Sequence, residues 1–278
     1  MFAHEFMRNA FLAGTFVALA CGLVGYFLVL RAEVFAGDAL SHVAFTGALA
    51  AAAAGVDLRV GLFAATVLVA LAMGAAGSRA RADDAVIGSF FAWVLGLGVL
   101  FLSIFTTSSS TGNGTAGVRV LFGSIFGLSI SEARLAAFLG ALAVAAVLAI
   151  ARPLLFASLD GEVARAQGVR VGVLGLVFLG VTGVVAAEAT QAVGALLLLG
   201  LVSAPAGAAH RLSANPYAGL ALSAALALLA TWGGLTFSYL VPSVPPSSMI
   251  VSLAFAIYVA AALRARFRPE IPKLESIS

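Results

Sequence analysis

Asp38 and His42 are two ionisable side chains in an otherwise apolar stretch, GDALSHVAFTGALAAAAAG, which runs from Gly37 to Gly55. Their spacing of four residues places them on the same face of a helix, one turn apart. Ionisable residues are costly inside a membrane and commonly mark an ion or substrate pathway. A carboxylate and an imidazole are ligands that suit divalent zinc and manganese. We therefore treat Asp38 and His42 as candidate metal ligands; the alternative is an aspartate helix cap beside a histidine in a packed polar contact.

The residues required for common catalytic mechanisms are largely missing. The only lysine is Lys273, so a phosphate-binding GxxxxGK[ST] loop is absent and any ATP hydrolysis would require another polypeptide. Ser41, His42 and Asp38 could nominally form a hydrolase triad, but the adjacent Ser41 and His42 point about 100° apart on a helix. Cys21 is the only cysteine, which excludes an internal disulfide. The sequence predicts a protein that is not an enzyme and has no permanently bound cofactor.

Composition predicts the elements that position the candidate ligands. The chain of 278 residues is 62% hydrophobic and 10% charged, whereas an average soluble domain is roughly 25% charged. Its apolar runs are long enough to cross a hydrocarbon core about 30 Å thick. We predict an all-α, polytopic transmembrane bundle of eight or nine spans in a single domain, residues 1–278. The nine candidate spans are 10–31, 37–55, 59–78, 85–105, 132–155, 171–188, 191–210, 217–240 and 248–264.

The positions of the arginines predict the orientation. With nine spans, four basic regions fall on one side, which the positive-inside rule identifies as the cytoplasm. These regions contain Arg79 and Arg81; Arg152, Arg165 and Arg170; Arg211; and Arg264, Arg266, Arg268 and Lys273. The N-terminus is then outside and the C-terminus cytoplasmic, with Arg59, Arg119 and Arg134 as exceptions on the outside. Because the charges cluster in loops and in the tail, the net charge of +3 does not favour nucleic-acid binding; the expected surroundings are membrane lipid.

Glu188 is a further ionisable residue in a predicted span. It falls near the external end of its span, where a solvated interfacial carboxylate is one interpretation and a metal entry path is the other.

Two segments are predicted to lie outside the spans. Leu121–Ile130 is too short to cross a membrane and contains Gly123 and Gly127, which favour a short external gating or docking element. Ser158–Gly172 mixes charged residues with Ala and Val at helical spacing on the cytoplasmic side. It predicts a short cytoplasmic helix, with a plain loop as the alternative.

Six segments carry motifs in a characteristic order. They are GDALSHVAFTGALA (37–50), ADDAVIGSFFAWVLGLGVLFLS (82–103), LFGSIFGLS (121–129), LLFASLDGEVARAQGV (154–169), VGALLLLGLVSAPAGAAHR (193–211) and YLVPSVPPSSMIV (239–251). Together they resemble the integral-membrane permeases of ABC importers for zinc, manganese and iron, over nearly the whole chain. The chain departs from the family pattern at Ser248, where the family usually has a Pro-Ser-Gly-like turn, and at the basic His210-Arg211 pair.

The resemblance implies a permease subunit of an ATP-binding-cassette importer in a bacterial inner (cytoplasmic) membrane. It implies a second copy of this subunit, a cytoplasmic ABC ATPase that uses the ATP, and an extracytoplasmic metal-binding protein. Asp38 and His42 of two copies would then form a four-ligand site across a two-fold axis. The segment 154–169 resembles the stretch that docks on the ATPase. Its candidate coupling residues are Ser158, Asp160, Glu162, Ala164, Arg165, Ala166 and Gly168.

Three alternatives concern the cargo and the energy source. Zn²⁺ accepts Asp and His in a four-coordinate set, whereas Mn²⁺ prefers more oxygen ligands. Because few other carboxylates fall near Asp38 in the sequence, we expect zinc ahead of manganese. A secondary metal/proton carrier would explain the missing nucleotide site but has no need of the Ser158–Gly172 segment. A permease for an iron chelate would require a larger cavity and no ligand pair.

Overall fold

The structure is a computed structural model that describes residues 4–77, 84–108 and 123–267. Within these ranges the regular structure is entirely helical. The helices are α1 (Glu5–Leu30), α2 (Val34–Ala53), α3 (Leu58–Ala76), α4 (Asp84–Ser108), α5 (Ile130–Leu159), α6 (Gly161–Ala166), α7 (Val171–Ala192), α8 (Leu198–Leu212), α9 (Pro216–Leu240) and α10 (Pro246–Arg266), with one 3-10 turn at Ile125–Gly127 before α5. Arg79, Arg81, Arg119, Leu121, Arg268 and Lys273 lie outside the described residues.

Eight of the described helices are long and apolar enough to span a membrane. They are α1–α5, α7, α9 and α10, so the chain is built as a multi-pass membrane protein. The predicted seventh span, at 191–210, is wrong as a continuous helix, because α7 extends to Ala192 and α8 begins only at Leu198. Gly194 breaks the helix with a φ of 102°, a backbone conformation that favours glycine. The 15 residues of α8 reach about 22 Å.

The short segment before α5, which the sequence predicts to be external, lies against this break. Only its part from Gly123 onward is described, and it forms a single 3-10 turn, as expected for an element too short to span. The Ser124 backbone N–H donates to the Gln191 carbonyl at 3.2 Å. A Cβ added to Gly123 would come within 2.5 Å of the Val193 carbonyl carbon, so glycine is required for this close approach.

The helices form two groups that share α7. In the first group α1 packs against α5, α8 and α9 and lies at the centre of the main hydrophobic core. In the second group α2 packs between α3 and α4. Because α7 contacts α1, α2, α3 and α5, it joins the two groups.

A close crossing fixes α2 against α3. A Cβ on Gly47 would lie 2.4 Å from the Gly61 carbonyl oxygen, and a Cβ on Gly61 would lie 2.3 Å from the Gly47 carbonyl oxygen. Small residues permit such approach between membrane helices, where packing replaces the hydrophobic effect as the driving force.

The two ends of the bundle can be defined by their polar residues. At the end that we call the α6 end, Arg31 between α1 and α2 lines one pocket with residues of α6. At the opposite end, the Arg59 end, Arg59 of α3, Glu132 of α5 and Gln191 of α7 line another pocket. The helix α2 therefore runs from the α6 end to the Arg59 end.

Candidate functional site

Asp38 lies in the second turn of α2, near the α6 end, and lines a cavity of about 360 Å³. The cavity is also lined by Phe35 of α2 and by Asp84 and Phe91 of α4. Asp38 is half-buried, whereas Asp84 is exposed at the first residue of α4. The structure thus brings a second carboxylate to the cavity that Asp38 faces.

His42 lies one turn further along α2 and is half-buried. Its ring packs edge-on against the Phe91 ring, with the centroids 5.2 Å apart. Phe91 lines the Asp38 cavity, whereas His42 does not, so the imidazole is connected to that cavity only through its contact with Phe91. Asp38 and His42 lie one turn apart on α2, and their role as metal ligands stays a prediction.

Neighbouring hydroxyl groups are used in structural hydrogen bonds. Ser41 Oγ donates to the Asp38 backbone carbonyl at 2.7 Å, which is the back-bonding typical of serine in helices. Thr46 Oγ1 donates to the Val94 carbonyl at 3.3 Å and so joins α2 to α4. Both contacts fix the helix that carries Asp38 and His42.

The ligand set is incomplete within the described part of one chain. No group of three or more His, Cys, Asp or Glu side chains with metal-binding geometry occurs among the described residues. In the same residues no basic side chain forms an ion pair with Asp38. A carboxylate without a fixed counter-charge is available to a mobile cation.

Glu188 lies toward the Arg59 end and is not brought to the Asp38–His42 pair. Its neighbour Ala187 packs with Ala44 and Ala48 of α2, so with a rise of 1.5 Å per residue Glu188 lies about 10–15 Å further along the bundle than Asp38. Its residue exposure is 4%, so the interpretation as a solvated interfacial carboxylate is wrong. Arg59 interacts electrostatically with Glu188 and also forms an ion pair with Glu132. This pairing gives Arg59, a predicted exception to the charge bias, a structural role.

An apolar layer lies between the His42 and Glu188 levels. Ala44 and Ala48 of α2 pack with Leu62 of α3 and Ala187 of α7 in a buried cluster. All four side chains are almost inaccessible to solvent, so α2, α3 and α7 are closely packed at this level.

The short cytoplasmic helix expected in Ser158–Gly172 is present as α6, with narrower bounds. Asp160 caps it by accepting hydrogen bonds from the backbone N–H groups of Glu162 and Val163 at 3.1 and 3.0 Å. Gly168 ends the segment with a φ of 85°. Ser158 belongs to α5, where its Oγ donates to the Leu154 carbonyl.

The residues of α6 have two different environments. Ala164 is fully buried against Ala157 and Val171, so it faces the rest of the bundle. Glu162, Val163, Arg165 and Ala166 are exposed. These exposed residues are therefore the part of α6 that can meet another protein.

The sequence analysis missed Arg31 and Glu33, which form a buried ion pair in the turn between α1 and α2. Charged residues at the end of a span ordinarily indicate interfacial anchors. The signal in the sequence was a pair of opposite charges two residues apart. The connection between α1 and α2 that contains them is too short for both side chains to reach solvent. His210, also unassigned, stacks on the Tyr26 ring with a centroid distance of 4.2 Å and bonds the Tyr26 carbonyl.

The chain is similar to known proteins in both sequence and fold. The sequence profile described as "ABC 3 transport family" matches residues 3–265. The manganese transport system membrane protein MntC of Halalkalibacterium halodurans is 26% identical over 260 residues, covering 92% of this chain and 87% of that protein. The chelated iron transport system membrane protein YfeD of Yersinia pestis is 26% identical over 205 residues, covering 73% and 67% respectively. A chain in the structure of PsaBC from Streptococcus pneumoniae in complex with Fab is 25% identical and has a TM-score of 0.78, with coverage of 93% of this chain and 91% of that one.

Proposed function

This chain belongs to the ABC 3 transport family, and on that premise we propose that it is the membrane-spanning permease subunit of an importer for a divalent metal ion. The observation that carries the proposal is the cavity shared by Asp38, Asp84 and Phe91, together with the contact of the His42 ring with Phe91. Oxygen and imidazole ligands without a fixed counter-charge can bind a cation and release it again. In this proposal Asp38 and His42 contact the cargo.

For the cargo we propose Mn²⁺, with Zn²⁺ as the second candidate. The expectation of zinc depended on a scarcity of oxygen ligands near Asp38, and Asp84 now supplies a second carboxylate at the same cavity. Mn²⁺ suits such oxygen ligands better than Zn²⁺ does. The relative from H. halodurans, which matches over most of its length, is named for manganese transport. Zn²⁺ is the second candidate because the imidazole of His42 is a ligand that it accepts.

A second copy of the chain would complete the site. The described residues of one chain hold no group of three metal-binding side chains. If two copies met at a two-fold axis, each would contribute an Asp38 and a His42, and separation of the copies would open the site. A transport site must alternate in this way in order to release its ion.

The ATP would be used by a separate cytoplasmic subunit that binds α6. The exposed side chains of α6 carry both charges and the apolar Val163, as a docking surface requires. An extracytoplasmic metal-binding protein would deliver the ion at the Arg59 end, which places the N-terminus outside and the α6 end in the bacterial cytoplasm.

Reconstitution tests the proposal. The permease is purified with its ATPase, placed in proteoliposomes, and assayed for ATP-dependent uptake of Mn²⁺ and Zn²⁺. We expect His42→Ala to abolish uptake while the complex still assembles. His210→Ala is the matched control, since it also removes an imidazole but one that stacks on Tyr26; it should retain uptake.

Two results would contradict the proposal. Uptake that persists without ATPase but follows a proton gradient would identify a secondary carrier. Equal uptake by His42→Ala and the unaltered protein would show that the imidazole is structural. Preference for Zn²⁺ over Mn²⁺ would reverse the proposed cargo only.

A further inference from the structure

The turn between α1 and α2 contains a buried ion pair that takes no part in the proposed metal site. Arg31 Nε donates to Glu33 Oε2 at 2.9 Å, and Arg31 Nη2 donates to Glu33 Oε1 at 3.0 Å. Both side chains are 3% exposed. A buried pair of this kind seldom stabilises a fold more than apolar side chains of similar volume, because both charges lose their hydration. Stability alone therefore does not account for it.

The pair lies between the elements on the two sides of the proposed coupling route. Arg31 lines a pocket of about 160 Å³ whose other wall includes Gly161, Glu162 and Arg165 of α6. Its guanidinium also lies over the Phe178 ring of α7, 5.5 Å from the centroid. Glu33 is the residue immediately before α2, and its carboxylate makes no capping bond to that helix. The carboxylate is directed to Arg31 instead.

The backbone of this turn is tightly constrained. Ala32 has a φ of 57°, in the left-handed region that costs a non-glycine residue roughly 1–2 kcal/mol. The Glu33 N–H donates to the Leu28 carbonyl at 2.8 Å, which closes the turn over the end of α1. Asp38 follows Glu33 by less than two helical turns. A displacement of this turn is therefore transmitted to the start of α2 with little loss.

We propose that Arg31 and Glu33 are positioning residues that transmit movement of α6 to the first turns of α2, and so to Asp38 and His42. The bidentate contact resists stretching and rotation, whereas neutral side chains at these positions would allow α6 and α2 to move independently. The inference rests on the proposed function, because it requires that α6 binds the ATPase.

The test separates energy use from transport in the reconstituted complex with its ATPase. In Glu33→Gln and Arg31→Gln, we expect the subunits to co-purify and to hydrolyse ATP, while Mn²⁺ uptake per ATP falls about tenfold, as loss of a typical coupling free energy would produce. The matched control is Arg211→Gln, which removes an exposed guanidinium that bonds and stacks on Tyr258. That variant should keep the parental ratio of uptake to ATP.

A labelling experiment measures the coupling directly. Phe35 is exposed and lines the Asp38 cavity, and the native Cys21 is buried, so a Phe35→Cys variant has one accessible thiol among the described residues. In the assembled complex, trapping the ATPase with nucleotide and vanadate should change the maleimide labelling rate at residue 35. Adding Glu33→Gln should remove that change without altering the rate in the absence of nucleotide.

The outcomes are decisive in either direction. An unchanged uptake-to-ATP ratio, or an unchanged labelling response in Glu33→Gln, overturns the inference. If the single variants fail to assemble, the apolar pair Arg31→Met/Glu33→Leu replaces both charges together. Normal coupling in that double variant overturns the inference, and an assembled but uncoupled complex supports it. Failure of the unaltered complex to take up Mn²⁺ or to bind the ATPase would instead refute the proposed function.

Discussion

The two ends of the bundle place their carboxylates in opposite environments. At the α6 end, Asp38 is half-buried, faces a cavity and has no ion pair with the described basic residues. At the Arg59 end, Glu188 is buried and lies within the electrostatic influence of Arg59, which also pairs with Glu132. A buried carboxylate requires compensation for its lost hydration. Arg59 supplies part of that compensation to Glu188, whereas in the proposed function the transported cation supplies it to Asp38.

This contrast changes the interpretation of Glu188 as a metal ligand. The sequence presents Asp38 and Glu188 alike, as single acidic residues in apolar helices. In the part of the chain that the structure describes, a guanidinium acts electrostatically on Glu188, whereas no guanidinium forms an ion pair with Asp38. We infer that Asp38 contacts the cargo, as proposed above, and that Glu188 maintains the architecture of the Arg59 end.

The largest effect should come from Asp38→Asn, which keeps the shape of the side chain and removes its charge. Because changes in outer-shell partners already lower metal affinity by about 10- to 100-fold, loss of a ligand should reduce Mn²⁺ uptake by on the order of 100-fold or more. Glu188→Gln is the matched comparison and should reduce uptake much less. Uptake measured in proteoliposomes at equal protein content checks both. The contrast between the two ends is refuted if Glu188→Gln is the more severe change.

A smaller effect, on stability, should come from Arg59→Gln. This change leaves the buried Glu188 carboxylate without its counter-charge, at a cost of about 2 kcal/mol. Thermal unfolding in detergent should therefore shift to lower temperature. Combining Arg59→Gln with Glu188→Gln should recover most of the loss, because the carboxylate that needed Arg59 is gone. Additive losses in the double variant would show that Arg59 acts only through the half-buried pair with Glu132.

The smallest effect should come from Asp84→Asn. Asp84 is exposed and lies at the edge of the cavity rather than deep in it, so solvent screens its charge. We expect Mn²⁺ uptake to fall about threefold and Zn²⁺ uptake to change less, because Zn²⁺ depends less on oxygen ligands. Competition between the two ions in one uptake assay gives the ratio directly. An equal decrease for both ions would exclude Asp84 from cargo selection.

The sequence predicted most of the fold, because membrane helices are specified by length and apolar composition. The prediction failed at 191–210, where the break between α7 and α8 lies within a continuous apolar run. The φ of Gly194 and the close approach of Gly123 from a distant segment produce that break, and neither is visible in hydropathy. The short helix α6 was predicted, since Asp160 and Gly168 are local start and stop signals.

The candidate site was predicted only as far as single helices allow. The spacing of Asp38 and His42 implies that they share a helix face, and the structure adds the cavity that Asp38 lines. That cavity depends on Asp84 and Phe91 of another helix, and the packing of α4 on α2 is a tertiary property. The Arg31–Glu33 pair was missed for a related reason: whether a charged turn is solvated or buried depends on α6 and α7, which pack over it.

The apolar layer of Ala44, Ala48, Leu62 and Ala187 has a kinetic consequence. Many gates open when a bulky side chain changes rotamer, which takes picoseconds to nanoseconds. Alanine has no rotamers to change, and three of the four residues in this layer are alanine. A path between α2, α3 and α7 would therefore open only if whole helices moved apart, which takes microseconds to milliseconds. Side-chain fluctuations alone do not open this part of the bundle.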